Sequence, residues 1–105
     1  MGLRLATIAT LGMLTAATAG AQNTGADIYK AKCQMCHAAD GSGNTPAGKA
    51  MKARALNSPD VLKESETDLI AIVRNGRNKM PAFAGKLTDA QITDVVAYIR
   101  TLQTR

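Results

Sequence analysis

Cys33-Gln34-Met35-Cys36-His37 is the stretch of the sequence that decides the fold. Its two cysteines lie about one helical turn apart, so both sulfurs face the same side of a helix. A histidine follows the second cysteine directly. This Cys-x-x-Cys-His pattern is typical of a c-type haem site, where the thiols bond the two vinyl groups and the imidazole ligates the iron. We therefore expect Cys33 and Cys36 to carry one covalent haem c and His37 to be an axial iron ligand.

Other readings of this motif lack the partners that they need. A structural zinc site takes four ligands, and the chain holds two cysteines and one histidine in all. A redox-active dithiol of the thioredoxin type would follow a strand in a βαβ unit, whereas the flanking sequence is helical in pattern. A structural disulfide between Cys33 and Cys36 would close a very short loop and constrain little.

The N-terminus has the pattern of a secretory signal peptide over residues 1–21. Arg4 supplies a positive charge, residues 5–17 are mostly apolar or small, and Ala19-Gly20-Ala21 is a small-x-small cleavage site. An uncleaved membrane anchor is the alternative, but the apolar run is short and three threonines dilute it. We expect cleavage after Ala21, export to the periplasm and no stable membrane insertion.

The composition of residues 22–105, the expected mature domain, points to a core built around a cofactor. A chain of this size has difficulty burying enough apolar surface by itself, and this one has one Phe, two Tyr and no Trp. A buried haem would supply the missing apolar volume. The formal net charge is +5 without a basic run or interleaved aromatics, so nothing supports nucleic-acid binding.

The hydrophobic pattern predicts an all-α domain. The first helix is expected from about Gly25 through the cysteine motif, with Thr24 or Asn23 as its N-cap. A capping-box pattern at residues 65–68 opens a second helix, and Gly76 follows its end. Residues 88–91 form a capping box that opens the last helix, whose apolar stripe is Ile92, Val95, Val96, Ile99 and Leu102. Ser58-Pro59 predicts a further short helical turn.

Met80 is the predicted second axial ligand. It precedes Pro81 on an irregular segment between the last two helices, and that proline restricts it to an extended backbone. Filling core space is the alternative role for a methionine. Met35 is confined within the attachment loop, and Met51 has helical surroundings and no following proline, so Met80 is the best candidate.

With these features the chain resembles the class I c-type cytochromes, in their small bacterial soluble form. The resemblance covers nearly all of residues 24–104. It rests on Gly25, Tyr29, the motif at 33–37, Met80-Pro81 and the segment 96–99. It implies the cytochrome c fold: three main helices plus short turns wrapped around one covalently bound haem.

The resemblance also implies two contacts. The first and last helices should cross where Gly25 meets the aromatic ring of Tyr98. The carbonyl of a proline after the motif should accept the second N–H of His37, and Pro46 is the candidate, since such a bond would fix the orientation of the ring.

Ligation by His37 and Met80 would leave no open iron position, so we expect outer-sphere electron transfer rather than catalysis. The predicted function is a monomeric periplasmic one-electron carrier, not an enzyme. The alternative is a haem c peroxidase-like enzyme or a haem sensor in which Met80 dissociates, although the sole histidine is already used. A haem-free dithiol oxidoreductase is the third possibility.

The expected partners are redox proteins such as a membrane oxidase, reductase or dehydrogenase. Basic residues near the Met80 loop could guide docking to an acidic patch, or could only keep the protein in solution. This set is Arg74, Arg77, Lys79 and Lys86, with Lys49 and Lys52 as further members.

Overall fold

The computed structural model describes residues 2–4, 6–12 and 24–104. Within these ranges the chain forms helices and two isolated bridges but no strand, which confirms the all-α class. None of the helices in these ranges has the length and apolar character needed to cross a membrane. The predicted cleavage site at Ala19-Gly20-Ala21 lies outside the described residues.

Three main helices and three short ones follow one another along the described chain, as the resemblance implied. They are α1 (Gly25–Lys32), α2 (Gln34–His37), α3 (Pro46–Ala50), α4 (Pro59–Leu62), α5 (Glu66–Asn75) and α6 (Asp89–Gln103).

Hydroxyl side chains fix where the main helices begin. Thr24 caps α1 and forms a complete capping box with Asp27, which the sequence analysis did not identify. The predicted capping box of Thr88 and Gln91 is present at the start of α6. At α5, Ser65 accepts the backbone N–H of Asp68 at 3.0 Å. Each such cap satisfies a backbone donor that the first helical turn leaves without a partner.

The helix that was expected to run through the cysteine motif is interrupted at Cys33. This residue has φ −117° and separates α1 from α2. Its backbone N–H still donates to the Tyr29 carbonyl, and its own carbonyl accepts from His37, both at 2.9 Å. The two cysteines therefore stay about one helical turn apart although the helix is broken.

The first and last helices cross at Gly25, as expected. A Cβ atom at this position would overlap the carbonyl oxygen of Asp94 and lie 3.1 Å from Cβ of Tyr98. The rings of Tyr29 and Tyr98 pack beside the crossing, with centroids 5.3 Å apart and a tilt of 55°. Glycine is therefore required here by close approach of two backbones.

The core lies between α6 and the two other main helices. Every member of the predicted α6 stripe is buried. The stripe packs with a cluster that α1, α5 and the loops contribute, which contains Ile28, Tyr29, Leu56, Val61, Leu69, Val73, Phe83 and Leu87. Part of this cluster also forms the wall of a cavity.

Gly25→Ala tests the helix crossing, because the crossing decides whether this change raises or lowers the stability of the protein. Alanine is the better helix former, by about 1 kcal/mol, so without the close contact this change would stabilise the protein. Because the added methyl group collides with α6, we expect a loss of about 1–3 kcal/mol in thermal denaturation of the haem-loaded protein. Ala26→Gly, at the next and exposed position, is the control for helix propensity and should cost about 1 kcal/mol. A more stable Gly25→Ala protein would contradict the crossing.

Candidate functional site

One cavity brings together all four predicted site residues. Cys33, Cys36 and His37 reach it from the α1–α2 region, and Met80 reaches it from the loop between α5 and α6. The rest of its wall is mainly apolar and includes Leu56, Val61, Leu69, Ile72, Val73, Phe83 and Ile99. An apolar cavity with a few convergent polar groups is the usual form of a cofactor site.

The two thiols differ in their surroundings. Cys33 is buried and Cys36 is half-buried, and no disulfide joins them in the described residues. Burial, with a smaller effect from Cys36, raises the pKa of Cys33 to about 11. Cys33 therefore stays protonated at neutral pH, whereas redox-active dithiols rely on a lowered pKa and a thiolate. This electrostatic environment disfavours the dithiol oxidoreductase.

His37 ends α2 with its ring largely buried in the cavity wall. Burial lowers the pKa of His37, and a backbone interaction with Arg54 partly opposes this shift. The imidazole is therefore neutral at pH 7, which is the form that ligates a metal.

The expected bond between His37 and Pro46 is not formed. Nδ1 of His37 is buried and forms no hydrogen bond of normal geometry among the described residues, and the backbone group that influences the ring is that of Arg54 rather than Pro46. Pro46 is the first residue of α3. Its carbonyl consequently points along that helix rather than to the imidazole.

Ala38, the residue after His37, has a strained backbone. Its φ of 67° and ψ of 164° lie in a region that glycine almost alone adopts, at a cost of about 1–3 kcal/mol for other residues. The buried Tyr29 hydroxyl donates to the Ala38 carbonyl at 2.5 Å. The Ala38 N–H donates to the Gln34 carbonyl at 2.9 Å. Hydrogen bonds therefore hold both the N–H and the carbonyl of Ala38, the residue that follows His37.

A second hydroxyl fixes the attachment loop from the side of α3. Thr45 donates to the carbonyl of Met35 at 2.7 Å and lies 3.1 Å from that of Cys36. Its oxygen also accepts the N–H of Gly48, as a cap for α3. The sequence analysis assigned no role to Thr45, and Tyr29 entered it only through the resemblance. Neither bond leaves a signal in the sequence, because both partners are backbone carbonyls.

Met80 sits on a tight turn that is tied to α5. Arg77 and Met80 exchange two backbone hydrogen bonds, of 3.0 and 3.2 Å, around Asn78-Lys79. The following chain returns to the helix end, where Phe83 N–H donates to the Val73 carbonyl at 3.0 Å. Met80 is thus half-buried on a defined loop and packs against the hydrophobic core.

The two other methionines of the described domain are placed differently. Met35 is 79% exposed and is not part of the cavity wall. Met51 follows the end of α3 rather than lying inside a helix, and it lines the cavity with 44% of its surface exposed. Among the described methionines, Met51 is therefore the alternative to Met80 as the second iron ligand.

Cations surround the cavity, but only some of them are those predicted. Arg77, Lys79 and Lys52 line it and belong to the predicted docking set. Lys32 and Arg54 also line it, and the predicted docking set did not include them. No carboxylate contributes to this lining within residues 24–104. We call Lys32, Lys52, Arg54, Arg77 and Lys79 the cationic rim.

The other members of the predicted docking set do not line the cavity. Arg74 forms an ion pair of 3.1 Å with Asp89 at the start of α6. The ammonium group of Lys86 lies over the Phe83 ring, 5.7 Å from its centroid. Neither residue lines the cavity, and Lys49 does not either. Within the rim, Arg77 is paired with Glu64 at 3.0 Å.

These features define a class of protein. A small all-α domain places a Cys-x-x-Cys-His motif and a methionine around one apolar cavity, which is the arrangement of a c-type cytochrome.

Comparison with known proteins gives the family. Residues 20–99 match the family model described as cytochrome c oxidase, cbb3-type, subunit III. The chain is 45% identical over 94 residues to cytochrome c6 of Thermosynechococcus vestitus, which covers 88% of this chain and 80% of that one. It is 41% identical over 90 residues to cytochrome c6 of Thermostichus vulcanus, with 85% and 77% covered.

Solved structures agree with this likeness. A c-type cytochrome, KustC0563, superposes with a TM-score of 0.69 at 27% identity, over 76% of this chain and 98% of that one. Cytochrome c6 from the diatom Phaeodactylum tricornutum gives 0.57 at 30% identity, over 76% and 91%. The chain therefore belongs to the cytochrome c family, as a small class I c-type cytochrome. It is an electron carrier with one covalently bound haem c.

Proposed function

We propose that the chain is a periplasmic one-electron carrier in which Cys33 and Cys36 form the haem thioethers while His37 and Met80 ligate the iron from opposite faces. The observation that carries this assignment is the convergence of these four side chains on one cavity. The spacing of the motif holds Cys33, Cys36 and His37 together, whereas Met80 comes from a separate loop that no local sequence constraint brings to them.

The cavity also matches the two unlike edges of a haem. Vinyl groups lie on one edge of the porphyrin, and two carboxylates lie on the opposite edge. A smaller pocket shares Met51, Lys52, Arg54, Asn78 and Lys79 with the main cavity and contains neither cysteine. The cations of this smaller pocket, whose lining contains no thiol, would balance the carboxylates, since buried or half-buried charges need partners. This distribution supports the cysteine assignment.

The proposed ligand pair accounts for electron transfer without catalysis. Bound haem c supplies a one-electron Fe(II)/Fe(III) couple. His37 and Met80 would fill both axial positions, and a thioether ligand within an apolar wall favours the reduced form. Peroxidase-like or sensor chemistry would need an open position and a nearby acid–base group. The chain's one histidine is the proposed proximal ligand, and no carboxylate lines the cavity within the described residues.

Residues 1–21 are proposed as a cleaved signal peptide that exports residues 22–105 to the periplasm. The support is the positive residue, the apolar run and the small-x-small site of the sequence. In this compartment we propose a monomer that meets membrane-bound oxidases, reductases or dehydrogenases.

The cationic rim is proposed to steer docking to an acidic patch on these redox partners. Lys32, Lys52 and Lys79 are exposed and form none of the ion pairs seen in the described structure. Electron-transfer encounters use small interfaces and are commonly accelerated by complementary charge. Because these lysines are exposed and also line the cavity, steering toward them would bring the haem edge to the partner.

Covalent attachment is tested by mass spectrometry of the exported protein. We expect the mass of residues 22–105 plus one haem, unchanged by acid-acetone extraction. Cys33→Ala removes one thioether and should leave poorly matured, less stable protein, because haem binding and folding are coupled. Ser42→Ala is the control, at an exposed site away from the cavity lining. Haem that is extracted from the wild-type protein would overturn the cysteine assignment.

The distal ligand is tested by comparing Met80→Ala with Met51→Ala. Loss of the thioether should remove the iron–sulfur charge-transfer band of the oxidised protein and lower the potential by on the order of 0.1 V, within the wide range that axial ligands set. It should also open the iron to added ligands. Met51→Ala is the matched control and should keep the band. The reverse result for the two variants would assign the ligand to Met51.

Docking is tested by the salt dependence of the bimolecular transfer rate to a membrane oxidase. The Debye length falls from about 30 Å at 0.01 M salt to about 8 Å at 0.15 M, so steering by the rim should weaken and the rate should fall about tenfold. Lys52→Glu should slow association about threefold or more at low salt. Because Lys52 also lines the cavity, the potential of the variant is measured and its effect on the rate is subtracted. Lys63→Glu, an equal reversal at an exposed site outside the cavity, is the control. A transfer rate that changes neither with salt nor with either charge reversal would mean that the rim does not steer docking.

A further inference from the structure

Tyr29 links the core to the backbone beside His37. Its side chain is 1% exposed, and its hydroxyl donates to the backbone carbonyl of Ala38 at 2.5 Å. A buried phenol needs such a partner, because burying an unpaired hydroxyl is unfavourable. Burial raises the pKa of Tyr29 well above its usual value, so the hydroxyl remains a donor at any working pH. The bond joins α1 to the residue directly after His37.

The carbonyl that receives this bond belongs to a strained residue. Ala38 adopts φ 67° and ψ 164°, which an alanine rarely does. Such a conformation persists only when the surrounding structure determines it, and it concentrates at functional sites. The Gly41 N–H also donates to this carbonyl, at the longer distance of 3.2 Å. The hydrogen bond from the Tyr29 hydroxyl is therefore the shorter of the two bonds to the Ala38 carbonyl.

The His37 ring interacts with the backbone of Arg54 but, within residues 24–104, forms no hydrogen bond of normal geometry at Nδ1. Nδ1 of the ring is buried and has no hydrogen-bond partner among the described residues. A metal-binding histidine is usually oriented by a bond from its second nitrogen. In this chain the ring direction depends more heavily on the backbone around His37. The Gly43 N–H holds the His37 carbonyl at 2.8 Å, and the Tyr29 hydroxyl holds the next carbonyl, that of Ala38.

We propose that Tyr29 is a positioning residue for His37, acting through the bond from its hydroxyl to the Ala38 carbonyl. The bond holds the strained peptide, which sets the direction in which the end of α2 presents the imidazole to the iron. This inference rests on the proposed role of His37 as an axial ligand. It assigns to the Tyr29 hydroxyl a function that the packing of its ring against Tyr98 does not need.

The test uses four variants of the matured haem protein: Tyr29→Phe, Ala38→Gly, the double variant and Tyr98→Phe. Tyr29→Phe keeps the ring pair but removes the bond, so Ala38 can relax and His37 should bind iron less well. A weaker nitrogen donor stabilises Fe(III) less, so the potential should rise. We expect at least a threefold change in the reduced-to-oxidised ratio at a fixed potential, or about 28 mV for a one-electron couple. The paramagnetic haem-methyl NMR shifts should be reordered, because they report the plane of the imidazole.

The rescue by glycine separates positioning from simple stability. Glycine adopts the conformation of residue 38 without strain. Ala38→Gly should therefore restore the potential and the methyl shifts of Tyr29→Phe to within the wild-type range. Tyr98→Phe removes the other hydroxyl of the aromatic pair and should change neither quantity. If Tyr29→Phe yields no haem protein, recovery of haem-loaded double variant supports the proposal, and failure of both variants to mature contradicts it.

Two results would overturn the proposal. The first is a Tyr29→Phe protein that is less stable but has the wild-type potential and methyl shifts, which would make the bond purely structural. The second is a changed potential that Ala38→Gly does not restore. A wild-type protein without a low-spin histidine-ligated spectrum would instead refute the proposed ligand set, so the two failures can be distinguished.

Discussion

The placement of His37 and Met80 at one cavity is the constraint on which the rest of the structure depends. Short helices and tight turns carry both residues, and such elements have little stability of their own. The main helices supply the rigid frame: α6 packs against α1 at Gly25 and against α5 along its apolar stripe. Hydrogen bonds then fix the short segments to this frame, at Ala38 on one side and at Phe83 on the other. The cavity is thus a consequence of how the long helices hold the short ones.

The sequence predicts the parts of this arrangement that depend on local chemistry. The capping box at Thr88 and the stripe that follows it define α6 almost to the residue, because capping and periodicity act within one helix. The Cys-x-x-Cys-His motif predicts the haem for the same reason, since its geometry is contained in five residues. Met80 was predicted from one neighbour, Pro81, and the structure places it at the cavity.

Features that depend on distant pairing could not be read from the sequence. Arg74 looks like a free cation until α6 brings Asp89 within 3.1 Å of it, and Arg77 is paired with Glu64 in the same way. Arg54, in turn, joins the cavity although it lies far from the Met80 loop in sequence. The strained conformation of Ala38 is likewise held by a tertiary bond, from the Tyr29 hydroxyl, which the helical pattern of the motif does not predict. The position of a cation in the sequence therefore does not predict whether it lines the cavity.

The most direct test of this account is an NMR spectrum of the reduced protein with ¹³C-labelled methionine methyl groups. Met35, Met51 and Met80 are the methionines of residues 22–105. A methyl group bound at the iron lies over the porphyrin face, so the ring current moves its proton signal far upfield. We predict one such signal, and it should disappear in Met80→Ala and persist in Met51→Ala. An upfield signal that belongs to Met51, or a spectrum in which no methionine methyl is displaced, would contradict the placement of iron between His37 and Met80.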